Sequence, residues 1–170
     1  KRIIFNGNGY SQEWVEEAAR RGLPNIANTV DAIEAINTEK NKALMEKHGV
    51  LSRIEMESRT EIQYEIYVKT INIEGLTAIE IAKRQILPAV INYKADLASS
   101  IAAIDAVGGD VSVERELFAK VNDSMKSLSA NIAKLEKAID TAANLHGDSK
   151  AQAEAYRDLV FNAMGEVRED

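Results

Sequence analysis

The sequence predicts an all-α protein, a helical bundle built on one very long kinked helix with an antiparallel helical hairpin that extends into a three-helix arm. Three observations carry this prediction. The stretch from Arg53 to Val107 has a clear start, a clear stop and a single interruption at Pro88. The stretch from Phe118 to Ala142 spaces its apolar residues alternately by three and four, the signature of a helical seam. No segment alternates apolar and polar residues convincingly enough to read as a strand.

The long helix organises everything else. Ser52 stands where a cap belongs, Glu55 completes a capping box three residues on, and Leu51 and Met56 sit at hydrophobic-staple spacing. Gly108 and Gly109 end it. Unbroken, it would run roughly 80 Å at 1.5 Å per residue. Pro88 has no amide hydrogen and its ring crowds the carbonyl of Arg84, so a kink is expected there. Ile66, Tyr67, Val68, Ile71, Ile73, Leu76, Ile79, Ile81, Ile86, Leu87 and Val90 spread round the axis, so this half should be covered on several sides. Beyond Lys94 the pattern narrows to Leu97, Ile101 and Ile104, a single stripe.

At the amino-terminal end, IIFNGNGY joins a short apolar run to two Asn-Gly pairs and reads as turns. A phosphate cradle is disfavoured, because no Lys-Ser/Thr follows the glycines. Ser11 is placed to cap a helix over Gln12 to Arg21 that ends at Gly22 and packs on Trp14, Val15 and Ala18. Two short helices follow, about Val30 to Ile36 and Glu39 to His48, with Asn28 or Thr29 and Thr38 as caps and Gly49 as the stop. After the glycine pair, a helix from about Val113 to Leu145 is expected to begin at Ser112 and close at Gly147. Its seam of Phe118, Val121, Met125, Leu128, Ile132, Leu135, Ile139 and Ala142 should lie antiparallel to the distal half of the central helix. A last helix, about Ser149 to Arg168 with Asp148 as cap, carries Tyr156, Leu159, Val160, Ala163 and Val167 on one side and can fold back.

Composition limits the chemistry. A chain of 170 residues is long enough to bury a core, and its aromatic share of 5% leaves that core mainly to Ile, Leu, Val and Ala. The absence of cysteine removes disulfides, thiolate ligands and cysteine nucleophiles and fits a reducing cytoplasm. A net charge of −6 with no basic block argues against nucleic acid as a partner. Charged residues interrupt every apolar run, so no membrane span is expected. The opening KRIIF lacks an initiator methionine and a signal-peptide layout, and reads as a piece of a longer protein.

The side chains that invite catalysis each have a simpler reading. His48 and His146 fall at expected helix ends, where an imidazolium favours the last carbonyls. Glu57, Glu61 and Glu65 line up with Lys69 as a solvated, salt-bridged face, and no Glu-x-x-His motif of a di-iron bundle occurs. Ser99, Ser100, Ser127 and Ser129 have no histidine in helical register. Glu74, Lys83 and Arg84 lie on the segment that is apolar all round, as internal ion pairs or as contacts to a missing domain or subunit. No catalytic, cofactor-binding or metal-binding residue is assigned.

The runs RIIFNGNGYSQEWVEEAARRGLPN, EKHGVLS and YVKTINIEGLTAIEIAKRQILPAVINY resemble the C-terminal region of type III glutamine synthetases, the large bacterial form. The resemblance is dense from Arg2 to about Tyr93 and looser from Lys94 onward. It implies a cytoplasmic parent enzyme that phosphorylates glutamate with ATP and displaces phosphate with ammonia, using Mg or Mn held by carboxylates of a catalytic domain upstream of Lys1. It also implies a homo-oligomeric parent, a dodecamer of stacked rings. None of the catalytic motifs is present here, so the resemblance implies a fragment inactive alone. Residues 1–22 are then expected to be the tail of the catalytic domain, and 23–170 an appended helical domain that packs on it and helps subunits assemble. The competing expectation is an independent helical protein–protein interaction module.

Overall fold

A computed structural model describes residues 4–170; the first residues of the KRIIF opening lie outside the described part. Among the described residues there are eight α-helices, two π-helical segments and no strand. The helices are α1 (Gln12–Arg20), α2 (Thr29–Ile36), α3 (Glu39–Lys47), α4 (Arg53–Ile81), α5 (Leu87–Ala106), α6 (Ser112–Ala143), α7 (Ser149–Ala155) and α8 (Asn162–Glu169). A π segment, Ala82–Ile86, joins α4 to α5, and another, Tyr156–Phe161, joins α7 to α8. The chain divides into two compact units, the residues up to Glu57 and Ser58–Asp170.

The first unit is held by local contacts. Asn8 makes its turn through its side chain, whose Oδ1 accepts the Tyr10 amide at 3.0 Å. Ser11 occupies the cap position of α1, but its hydroxyl donates to the Asn8 carbonyl at 2.7 Å instead of capping an amide. The Phe5 and Trp14 rings stack at 4.7 Å, and the Arg21 guanidinium lies 5.7 Å from the Trp14 ring while donating to the Ile4 carbonyl. Asn28 and Thr38 cap α2 and α3. Val30, Ile33 and Met56 are buried, and so is Lys42 of α3, whose ammonium reaches Glu57 at 3.1 Å and Glu39 at 3.4 Å. A buried lysine is tolerated because two carboxylates replace its hydration, and the Glu57 bond raises its pKa against the effect of burial.

The capping box forms as expected. The Ser52 amide donates to Glu55 Oε2 at 2.7 Å, and the Glu55 amide donates to Ser52 Oγ at 3.2 Å. At Pro88 the rod neither stops nor starts afresh. The π segment widens the turn just before the proline, and the Leu87 amide reaches back five residues to the Ala82 carbonyl. The extra residue in that turn accommodates the missing proline donor and its bulky ring, so Ala82 to Ala106 continues as helix. The far end closes on the glycine pair. Gly108 takes φ +77°, its amide meets the Asp105 carbonyl at 3.0 Å, and the Gly109 amide meets the Ile104 carbonyl at 3.0 Å. A Cβ on Gly109 would fall 2.5 Å from Ile104 Cγ2, so both positions require glycine.

The second unit is a helical hairpin with a returning arm. α6 packs along α5, and the α7 to α8 segment folds back along α6. Leu128, Ile132, Leu135, Ile139 and Ala142 are buried together with Ala153, Tyr156, Val160 and Ala163, so the expected seam is core from Leu128 onward, while Phe118, Val121 and Met125 are only half-buried. Partway along the hairpin, Lys94 donates to Asn122 at 2.6 Å and lies 5.5 Å from the Phe118 ring. Three expectations need correction. α6 starts one residue early, with the Ser112 amide and hydroxyl both donating to Asp110, so aspartate does the work expected of Ser112. It ends at Ala143 with Asn144 as its cap, before Leu145 and Gly147. Leu159, expected on the packed side, is exposed within the second π segment.

Candidate functional site

The central helix was expected to be covered on several sides; this chain covers one. At about 100° per residue, Tyr64, Val68, Ile71, Gly75, Ile79 and Ala82 share one face. Tyr64, Ile71, Gly75, Ile79 and Ala82 are buried, and Val68 is half-buried. Ile62, Ile66, Ile73 and Leu76 share the opposite face of α4 and are 49%, 50%, 64% and 51% exposed. Two opposed apolar stripes look like an apolar circumference when residues are merely counted round the axis.

The inner stripe reaches its neighbours closely because Gly75 has no side chain. A Cβ there would lie 3.0 Å from Ile139 Cδ1 and 3.3 Å from Val160 Cγ1. Tyr156 fixes the same junction: its hydroxyl, within hydrogen-bond reach of Asn72, donates to Asn72 Oδ1 at 3.1 Å, and burial pushes its pKa up.

Next to this core lies an open groove of about 1090 Å³. Its walls come from α4 and the first π segment (Ile73, Ile81, Ile86), from α6 (Val121, Met125) and from the arm (Phe161). Ile73 belongs both to the outer stripe and to this groove, so the two surfaces adjoin. The lining is overwhelmingly aliphatic and aromatic, with Glu74, Lys120, Arg168 and Asp170 among its charged members. Such a surface takes up apolar groups; it offers no array for general acid–base work.

The residues singled out by sequence take ordinary places. Lys83 meets Glu136 at 2.5 Å and Arg84 meets Glu80 at 2.9 Å, both at the surface, while Glu74 is exposed at the groove. Lys69 pairs with Glu65 at 3.0 Å, and Glu57 belongs to the Lys42 pair. His48 is the C-cap of α3. His146 lies two residues past the cap of α6, beside a smaller pocket that also touches Glu61, Glu65 and Asp148. Ser99 donates to the Ala95 carbonyl one turn back. Among the described residues no three His, Asp or Glu side chains gather as a metal site, and no helix is long and apolar enough to cross a membrane. Sequence reasoning missed the groove, since Met125 and Phe161 line it beside Ile81 only through the α6 hairpin and the returning arm. It also missed the outer stripe, whose spacing of four, seven and three from Ile62 to Leu76 was the available signal.

Residues 1–105 match the family model of the glutamine synthetase C-terminal domain. The chain belongs to that family. A glutamine synthetase from Butyrivibrio fibrisolvens is 35% identical over 99% of this chain and 24% of its own length. A type-3 glutamine synthetase from Dictyostelium discoideum is 42% identical over 61% of this chain and 14% of its own length. A glutamine synthetase from Bacteroides fragilis is 25% identical over 98% of the chain and 24% of its own length. The chain therefore spans a quarter or less of the curated relatives it matches. The family match covers α1 to α5 almost completely and stops before α6.

Proposed function

We propose that this chain is the non-catalytic C-terminal helical domain of a type III glutamine synthetase, which packs on the catalytic domain and supports subunit assembly. Membership of the glutamine synthetase C-terminal family is the observation that carries this reading. The open apolar surfaces support a packing role, because large aliphatic groups left in water on one continuous helix face are a common mark of an interaction surface. In this reading residues 1–22 are the tail of the catalytic domain and 23–170 the appended domain. The parent is a cytoplasmic homo-oligomer, a dodecamer, that joins ammonia to glutamate at the expense of ATP with Mg or Mn. Substrate, nucleotide and metal are held by the preceding catalytic domain, and this chain contributes surface rather than chemistry.

The test compares the full-length enzyme with a form truncated before Leu23 of this chain, and with the isolated chain. The isolated chain is expected to be folded, helical and without synthetase turnover, and the truncated enzyme to lose its full assembly by light scattering. Turnover by the isolated chain, or a truncated enzyme with unchanged assembly and thermal stability, refutes the reading.

A further inference from the structure

We infer that the outer stripe of α4, made by Ile62, Ile66, Ile73 and Leu76, is the surface on which the preceding catalytic domain of the same polypeptide docks. This rests on the functional reading above and adds to it which face is used.

Three observations converge. The stripe lies opposite the buried face of α4, so α6 and the arm of this chain cannot cover it without abandoning the core they already fill. Its four aliphatic side chains are each about half exposed or more and share one face of one helix, two on either side of Lys69, whereas scattered surface leucines would need no explanation. Lys69, bound to Glu65, interrupts the stripe between Ile66 and Ile73, and the Glu80 to Arg84 pair ends it one turn after Leu76. The occupant follows from the family: the matched module is a C-terminal domain, and the relatives extend to at least about four times this chain's length. The matched residues 1–105 contain the whole stripe, whereas the neighbouring groove needs Val121, Met125 and Phe161 from outside the match.

The full-length enzyme tests this through thiol labelling. This chain has no cysteine, so single substitutions report single positions, and peptide mass mapping separates them from any thiol elsewhere in the enzyme. Ile62→Cys and Ile66→Cys probe the stripe; Ile86→Cys and Phe161→Cys probe the groove; circular dichroism confirms that each variant is folded. The stripe thiols are expected to react with a maleimide at least about tenfold more slowly in the full-length enzyme than in the isolated chain, with the groove thiols changed little. Slowing at the groove alone overturns the choice of face and leaves the packing function standing. No slowing at any position overturns both. Slowing of the stripe that vanishes when subunits are diluted apart identifies a second copy as the occupant, and that overturns the assignment to the same polypeptide.

Discussion

Two leucines, one buried and one half in water, separate stability from docking. Leu135 sits in the seam of α6 with no exposed surface, among Ile132, Ile139 and Val160 of the same core, and Leu76 is 51% exposed on the outer stripe. Leu135→Ala removes a fully desolvated side chain from helices that can relax only partly into the space, a cost of about 3–4 kcal/mol. The compact unit holding it is Ser58–Asp170, and for a domain of that size such a loss lowers the melting temperature by roughly 10–15 °C. Leu76→Ala removes a side chain already half in water and replaces it with the best helix former, so the isolated chain should change by less than about 1 kcal/mol. Thermal and urea melts followed by far-UV circular dichroism, at two protein concentrations, measure both. Equal losses for the two variants would refute the division of α4 into a filled face and an open one. In the full-length enzyme the order should tighten, because Leu76→Ala then loses a docking contact as well.

Two further outcomes follow from single sites. Gly75→Leu should destabilise the hairpin by about 1–3 kcal/mol despite the better helix propensity of leucine, because its side chain has to displace Ile139 and Val160 from 3.0 and 3.3 Å; an unchanged melt would mean that α4 stands off the core. Hydrogen bonds from Arg20 and then Arg21 hold the Glu17 carboxyl at about 2, below its ordinary value. A depressed carboxyl stabilises the folded state above the unfolded pKa and ceases to do so as pH falls through the folded one. Its side-chain carbon, followed by NMR, should therefore titrate near pH 2, with α1 loosening between about pH 4.5 and 2, and a titration near 4.5 would show the two ion pairs to be absent in solution.

Much of the helical layout was legible because it is written in short-range chemistry. The Ser52 and Glu55 box, the Gly108 and Gly109 stop, the Asn28, Thr38 and Asp148 caps and the seam from Leu128 to Ala142 all depend on residues within a few positions of one another. The interruption at Pro88 was legible as a position, but the π turn that precedes it was not. A proline states only that one donor is missing and one ring must fit, and nothing local in the sequence says that a π turn is what accommodates them. The second π segment has no such marker, since Tyr156 to Phe161 contains neither proline nor glycine. The candidate site was mostly illegible: its walls come from helices separated by some forty to eighty positions, and apolar residues look the same in sequence whether their face is filled or bare.

By itself, then, the sequence determined the all-α class, most of the helix ends and the membership of a glutamine synthetase C-terminal family, because capping, periodicity and motif are local properties. Only the tertiary structure decided which side of α4 is occupied. Ile71 and Ile73 are the same residue two positions apart, and one is buried while the other is 64% exposed. The difference lies in where α6 and the returning arm come to rest, with Gly75 admitting Ile139 and Val160 against one face and leaving the other in water.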